Sequence, residues 1–125
     1  MTTRDEAIAF ANEWNAAWNA RALERVLALF NDNVVFTSPT ALVVVGTKAV
    51  RGKAALRAYW TAALKRITSL QFTIDRVMWD STMRELAIIY VSEIDGQSKR
   101  VSENLTFSPS GLVASAEVFH GVAGS

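Results

Sequence analysis

An apolar stripe near the amino terminus marks the first helix. Phe10, Trp14 and Trp18 recur at every fourth position, and this spacing puts their side chains on one face of an α-helix. Thr3 and Glu6 precede the stripe at the three-residue spacing of a capping box. The sequence therefore predicts a helix that begins next to Thr3 and buries its aromatic face.

A second, shorter helix and a strand follow. Apolar residues between Leu23 and Phe30 again recur at helical spacing. The run 31–33, which is Asn-Asp-Asn, predicts the end of this helix because Asn and Asp favour turns. The β-branched pair Val34 and Val35 then predicts a strand, so the amino-terminal part is interpreted as a helical hairpin that leads into a strand.

The middle of the chain contains one ambiguous segment and one helix. Residues 41–50 are mostly apolar and are interrupted at Gly46, which fits either a short strand or a loop over a pocket mouth. A third helix is predicted after Gly52, where residues 56–67 have apolar side chains at helical spacing.

Beyond Ser69 the apolar period changes from 3.6 to 2, which predicts strands. The Asp95-Gly96 pair is a strong signal for a type I′ hairpin, and 108–111 has the composition of a four-residue turn. Helices followed by an antiparallel meander indicate an α+β fold with the helices packed on one face of the sheet. Four strand-like runs are present, at 70–79, 85–94, 99–107 and 112–121.

The predicted two-residue hairpin loop also predicts which side chains share a face. It sets Tyr90 opposite Val101 and Ile88 opposite Glu103, and opposed residues point to the same side of a sheet. If the pairing continues across the turn at 108–111, Glu103 lies opposite Ala116 of the last strand.

The last strand is then expected to present Val118 and His120 on the face of Glu103. Under this pairing Glu103 and His120 are about four residues, or roughly 13 Å, apart along the strands. We therefore expect the two side chains to face one cavity without direct contact.

The opposite face of the same strands is expected to form a subunit interface. Ile89, Val91, Val113 and Phe119 lie on it among Ser and Glu residues. An apolar patch of this kind is rarely left in contact with water. The sequence therefore predicts a homodimer formed through the outer face of the sheet.

The composition excludes several kinds of site. A chain of 125 residues has the size of one domain. It has no cysteine and one histidine, so neither a disulfide nor a metal site is expected. Thirteen basic and twelve acidic residues are scattered along the chain and give a net charge of +1, which offers no electrostatic footprint for nucleic acid or anionic lipid. We therefore expect a single domain, 1–125, whose ligand is uncharged or modestly charged.

No membrane segment or leader is expected either. A membrane-spanning helix needs a run of about 18 apolar residues, and none occurs. The amino terminus is charged where a signal peptide has an apolar stretch. These features favour a cytoplasmic protein without a membrane partner.

With these elements placed, the chain from about Phe10 to Gly121 resembles the nuclear transport factor 2-like superfamily, which includes ketosteroid isomerases and SnoaL-like polyketide cyclases. The resemblance implies a cone-shaped fold in which three amino-terminal helices wrap a curved antiparallel sheet. It also implies a small apolar or aromatic ligand at the open end of the cone, and no cofactor. The resemblance rests on the order and spacing of Asn19-Ala20 through Leu29-Phe30, Val35-Phe36 before Pro39, Gly52 at the third helix, and Phe107 through Gly111.

The resemblance implies that the functional positions of ketosteroid isomerases match single residues of this chain, several of which have different side-chain chemistry. Their catalytic tyrosine falls at Trp14, and their general-base aspartate, which precedes a proline, falls at Ser38. Their proton-sharing aspartate falls at Glu103, an aromatic residue of their last strand at His120, and a supporting tyrosine of their third helix at Trp60. Because Trp14 and Ser38 replace the tyrosine and the base, the resemblance does not extend to ketosteroid isomerisation itself.

Glu103 and His120 are the candidate catalytic residues. Glu103 has apolar neighbours on its face, where loss of solvation raises the pKa of a carboxyl group; the alternative is a buried structural hydrogen bond to a Trp or Tyr. His120 has the one side chain whose ordinary pKa lies near neutrality, which suits a general acid or base. Its alternative is a satisfied or exposed strand histidine. The residues expected to bind the ligand are Trp14, Ser38, Trp60, Ile88, Tyr90 and Val118.

Three functions remain open at this point. In the first, an enzyme of the isomerase or cyclase type uses His120 to move a proton while Glu103 and Trp14 stabilise an enolate oxygen. In the second, a non-catalytic carrier or sensor holds an apolar ligand in the same cone. In the third, the chain is a dimeric scaffold that acts through its sheet face.

Overall fold

Helices occupy the first half of the chain and long strands the second half. The computed structural model describes residues 3–123. Within that range the elements are α1 (Arg4–Asn19), α2 (Leu23–Leu27), β1 (Phe30–Thr37), α3 (Pro39–Val45), β2 (Ala49–Arg51), α4 (Lys53–Lys65), β3 (Leu70–Asp80), β4 (Glu85–Ile94), β5 (Gln97–Phe107) and β6 (Val113–Ala123).

The six strands form one curved sheet in the order β2-β1-β6-β5-β4-β3. Neighbouring strands are antiparallel except β1 and β6, which run parallel. Helix α1 packs across β3, and α4 packs against β1 and β2. The predicted α+β class is therefore confirmed, and the apolar core lies between these helices and one face of the sheet.

Helix α1 has the predicted start. The Glu6 amide donates to Thr3 Oγ1 and the Thr3 amide donates to Glu6 Oε1, each at 3.1 Å, which is the reciprocal pairing of a capping box. At the other end, the Asn19 side-chain amide donates to the Phe72 carbonyl at 2.9 Å and its oxygen accepts from the Phe72 amide at 2.7 Å. Since β3 is an edge strand, Asn19 pairs backbone groups that the edge would leave free.

The prediction of a turn at residues 31–33 was wrong. Helix α2 already ends at Leu27, and β1 begins at Phe30. The pairing of β1 with β6 shifts between Phe30 and Val35, and the Asn33 amide donates to Asn31 Oδ1 at 3.2 Å inside this irregular stretch. The turn-forming residues thus produce a bulge within the strand rather than a break before it.

The ambiguous segment 41–50 contains a helix and a strand, neither a single strand nor a loop. Helix α3 begins at an N-cap, where Ser38 Oγ accepts from the Thr40 amide at 3.2 Å, and Pro39 occupies the first turn. It ends at Gly46, whose φ of 81° is the left-handed conformation that favours glycine. These end signals outweigh the β propensity of the valines, so α3 is an addition to the three predicted helices.

The predicted hairpin register was confirmed. Asp95 and Gly96 both have positive φ, 51° and 82°, as a type I′ turn requires. Tyr90 pairs with Val101 and Ile88 with Glu103.

The predicted register of the last strand was wrong by two residues. Glu103 pairs with Val118 rather than Ala116, because β6 begins one residue later than predicted and its pairing with β5 shifts between Thr106 and Phe107. The shift is even, so Val118 keeps the predicted face and is buried.

The same irregularity shows that one residue, Val113, was wrongly assigned to the predicted interface. Val113 pairs with Phe107 ahead of the shift and is fully buried in the core, so it is not on the outer face. Ile89 and Val91 are half-buried there, and Phe119 is 53% exposed. The apolar patch on the outer face is thus smaller than the sequence predicted.

Within residues 3–123, no helix is both long and apolar enough to cross a membrane.

Candidate functional site

A cavity of about 350 Å³ opens between the sheet and the helices. Its walls come from α1, α4 and the inward faces of β1 and β3 to β6. Aromatic rings make up much of the surface, so the space suits a molecule with an apolar body. The apolar lining residues are Trp14, Trp18, Phe36, Tyr59, Trp60, Ala63, Leu64, Ile67, Leu70, Phe72, Tyr90, Ile94, Val101 and Val118.

The polar lining residues divide into a buried set and a rim. Among the described residues, the buried polar or charged residues are Ser38, Ser92 and Glu103, and all three line this cavity. Burying polar groups costs free energy unless they are paired, so their concentration in one place marks the cavity as the candidate site. The rim residues are Thr40, Gln97, Lys99 and His120, which are exposed.

Glu103 forms the most unusual part of this site. Its side chain is 5% exposed, and Oε1 accepts a hydrogen bond of 3.0 Å from the Tyr90 hydroxyl. Loss of solvation raises the pKa of Glu103 to about 7, and the Tyr90 hydrogen bond opposes this rise. The pKa of Tyr90 is raised well above its usual range by burial and by the adjacent carboxyl group. Glu103 can therefore exist as both acid and carboxylate near neutral pH, which suits proton transfer or hydrogen-bond donation.

Trp14 carries an indole N–H without a protein partner. Its side chain is 1% exposed and lines the cavity, and Nε1 has no acceptor among residues 3–123. The ring is fixed between Phe72, stacked at 5.7 Å, and Tyr90, edge-on at 5.1 Å. An indole N–H of this kind, buried in the cavity wall and without an acceptor, is a candidate hydrogen-bond donor to a ligand oxygen.

His120 lies at the rim and is exposed. It pairs with Val101, so it is offset from Glu103 by two residues along the strands rather than the predicted four. The pKa of His120 is lowered by partial burial and by the positive charge of Lys99. The imidazole is therefore mainly neutral near pH 7 and able to accept a proton.

Ser38 lines the cavity, but its hydroxyl is committed to the fold. It accepts from the Thr40 amide as the N-cap of α3, and its own amide donates to the Lys48 carbonyl at 3.0 Å. Neither group is oriented by a histidine, so Ser38 supports the cavity wall.

The three remaining predicted ligand residues occupy different places. Trp60 and Val118 line the cavity. The Trp60 ring packs edge-on against Trp18 and Phe36 at 4.9 and 5.2 Å. Ile88 does not line it, which corrects the prediction: Ile88 shares the inward face but is fully enclosed in the core.

Several lining residues were not among the predicted site residues, and four of them show which signals the sequence carried. Tyr59 and Phe72 resemble ordinary core aromatic residues in the pattern, and nothing in it distinguishes them. Ser92 and Lys99 could have been found in the sequence. Each lies an even number of residues from Tyr90 or Glu103 on the same strand and therefore faces the same side, and the two pair with each other.

No group of three or more His, Asp and Glu side chains that could hold a metal ion occurs in the described part of the chain.

The chain belongs to the SnoaL-like domain family, whose profile matches residues 11–108. It is similar in structure to a SnoaL-like protein of unknown function from Burkholderia thailandensis, with 28% identity over 97% of this chain and 98% of that chain and a TM-score of 0.87.

Two further solved structures share the fold at lower identity. An epoxide hydrolase/cyclase-like enzyme of pyran ring formation in the polyether salinomycin is 17% identical over 98% of this chain and 95% of its own, with a TM-score of 0.78. A computationally designed 17-OHP binder is 20% identical over 95% of this chain and 96% of its own, with a TM-score of 0.72. No curated protein matches the chain.

Proposed function

We propose that this protein binds a small, mainly apolar molecule with a carbonyl group and moves a proton on the carbon next to that group, without a cofactor. The observation that carries the proposal is the buried Glu103 carboxyl group. It lines an apolar cavity, is hydrogen-bonded to Tyr90, and has a pKa raised to about 7. A carboxyl group that is protonated for part of the time can donate a hydrogen bond to a developing enolate oxygen.

The ligand class follows from the lining. Aromatic and aliphatic side chains cover most of the cavity, and the deep polar groups are few. Trp14 Nε1, which has no acceptor among residues 3–123, can donate to the same ligand oxygen as Glu103. The fold is also used by a designed 17-OHP binder and by a cyclase-like enzyme of polyether synthesis, which supports a small organic ligand.

His120 is the proposed base. In the proton-transfer step the imidazole takes the proton from the carbon, and the C–H electron pair moves to form an enolate whose oxygen carries the negative charge. Glu103 and Trp14 donate hydrogen bonds to that oxygen. An offset of two residues across neighbouring strands separates the Cα atoms of His120 and Glu103 by roughly 8 Å. This leaves room for a carbonyl group and its adjacent carbon between the two side chains.

A second function, ligand binding without catalysis, is favoured by two observations. The Ser38 hydroxyl serves as a helix cap, and the proposed base is an exposed rim residue. A carrier or sensor would need the cavity and its deep donors but no base.

Hydrogen–deuterium exchange distinguishes the two functions. 4-Acetylbiphenyl is incubated with the protein in D₂O, and loss of the acetyl proton signal is followed by NMR. Enzyme-accelerated exchange that is lost in His120→Ala and Glu103→Gln supports proton transfer. The matched control is Glu117→Gln, an exposed carboxyl group of β6. Binding without acceleration supports the carrier, and exchange that survives both substitutions contradicts the proposed roles.

We further propose that two copies associate through the outer face of the sheet. The apolar side chains Ile89, Val91 and Phe119 support this proposal, since they lie together on a surface away from the cavity.

A further inference from the structure

Lys99 is the cation at the rim of the cavity. It lies on β5 with the same parity as Glu103, lines the cavity and is exposed. No carboxylate among residues 3–123 lies within ion-pair distance of its ammonium group. By contrast, Arg25, Arg57 and Arg100 each pair with a Glu or Asp. The charge of Lys99 is thus available to a ligand.

The other charges around the cavity do not neutralise Lys99. The ionisable Asp, Glu, Lys, Arg or His residues that line it are Glu103, Lys99 and His120. Glu103 is enclosed at the deep end, four residues away along the same strand, which places its Cα roughly 13 Å from that of Lys99. His120 is held near its neutral form at the rim. The cavity therefore has a cationic rim, an apolar middle and a hydrogen-bonding deep end.

We propose that the ligand is an apolar keto acid, bound with its carboxylate at Lys99 and its carbonyl oxygen at Glu103. This inference rests on the proposed function, because the carbonyl end is the one assigned to proton transfer. Lys99 sets the orientation, since the reverse orientation would put the anion beside the Glu103 carboxyl group in a desolvated site. The apolar body then lies against the aromatic walls, with Ser92 facing Lys99 across the two strands.

Isothermal titration calorimetry with a matched pair of ligands tests the assignment. 4′-Acetylbiphenyl-4-carboxylic acid has its carbonyl and carboxylate groups at opposite ends of a rigid apolar body, and its primary amide has nearly the same shape but no charge. At pH 6.5, where Glu103 is mainly protonated and the ligand carboxylate is ionised, and at low salt, the wild type should bind the acid about fivefold more tightly than the amide, as expected for one partly exposed ion pair. This preference should shrink as salt is added.

Two variants make the test specific. Lys99→Gln should bind the acid and the amide with equal affinity. Lys65→Gln changes an exposed lysine of α4 that does not line the cavity, and it should keep the wild-type preference. Equal binding of both ligands to the wild type, or a preference that survives in Lys99→Gln, overturns the keto-acid assignment alone. If neither ligand binds the wild type, the proposed function fails together with it. Circular dichroism of both variants verifies that they are folded.

Discussion

The Tyr90 hydroxyl donates a hydrogen bond of 3.0 Å to Glu103 Oε1 from the strand directly beside it. The hairpin turn at Asp95-Gly96 sets this contact. It pairs Ile88 with Glu103 and Val101 with Tyr90, so that the two polar side chains lie diagonally on the inward face. A local turn thereby positions the one buried carboxyl group of the described chain in the wall of the cavity.

We predict that Glu103 makes the protein less stable as the pH rises. The pKa of its carboxyl group is about 7 in the folded state and 4.5 without the environment of the fold. Between these values the unfolded state loses its proton first, so the folded state binds more protons and the free energy of unfolding falls with pH. The loss amounts to about 3 kcal/mol and is complete above pH ~7. Urea denaturation between pH 4.5 and 8 measures it.

Two variants isolate the contribution of Glu103. Glu103→Gln keeps an acceptor for Tyr90 and should remove the decline, whereas Glu117→Gln should retain it. His120 acts in the opposite direction, since its folded pKa is lowered and stability rises as the imidazole loses its proton. That contribution is common to all three proteins and cancels in the comparison. A decline of equal size in wild type and Glu103→Gln would show that Glu103 is not the titrating group.

A second prediction concerns the change in the pKa of Glu103 in the Tyr90→Phe variant. The Tyr90 hydroxyl stabilises the ionised carboxylate, so its removal should raise the pKa of Glu103 further. Carbon-detected NMR titration of the Glu103 carboxyl group measures this value in both proteins. The free energy of unfolding at pH 8 should fall by about 1–3 kcal/mol, the range for a hydrogen bond to a charged group. An unchanged or lower pKa would mean that the contact does not form in solution.

The sequence predicts the face of Glu103 because the signals that determine that face are local. The Asp and Gly of this two-residue loop both have positive φ, and a turn of this kind is compatible with few other pairings of the two strands. The partner of Glu103 on the next strand could not be obtained in this way. The shift in pairing between Thr106 and Phe107 inserts a residue that alternation does not reveal.

Helix α3 shows the converse case. Its valines have high β propensity, and the pattern of 41–50 therefore remained ambiguous. The decisive information was at the ends, in the Ser38 cap, in Pro39 of the first turn and in the left-handed Gly46. The same contacts explain why matching Ser38 to the base position of ketosteroid isomerases did not predict its role. Its place in the cavity wall was foreseen, but the hydroxyl caps a helix that the pattern did not predict.

A third prediction separates the indole N–H of Trp14 from ring packing. Trp14 and Trp79 both have a buried Nε1 without a partner among residues 3–123, but only Trp14 lines the cavity. Trp14→Phe should weaken binding of 4-acetylbiphenyl by about fivefold, the effect of losing one hydrogen bond of about 1 kcal/mol. Trp79→Phe should leave the affinity unchanged. Calorimetric titration measures both variants, and equal losses of affinity would assign the effect to packing or general destabilisation.

The last prediction concerns the outer face of the sheet. Ile89 pairs with Ser102 and Ser102 with Phe119, so the three form a row across β4, β5 and β6. Phe119 is 53% exposed in the single chain, and burying such a ring stabilises an interface by roughly 1.5–3 kcal/mol. The wild type should therefore sediment at about twice its monomer mass, and Phe119→Lys should shift it to the monomer.

The control for this prediction is Val43→Lys on α3. Val43 is 84% exposed and lies on α3, outside the row of Ile89, Ser102 and Phe119, so the same change of chemistry there should leave the dimer intact. Sedimentation over a tenfold range of concentration distinguishes the outcomes. A wild type that stays monomeric throughout contradicts association through any face. A dimer that survives Phe119→Lys but is lost in Val43→Lys would place the interface at α3, because a charge introduced at a buried contact is unpaired and costly.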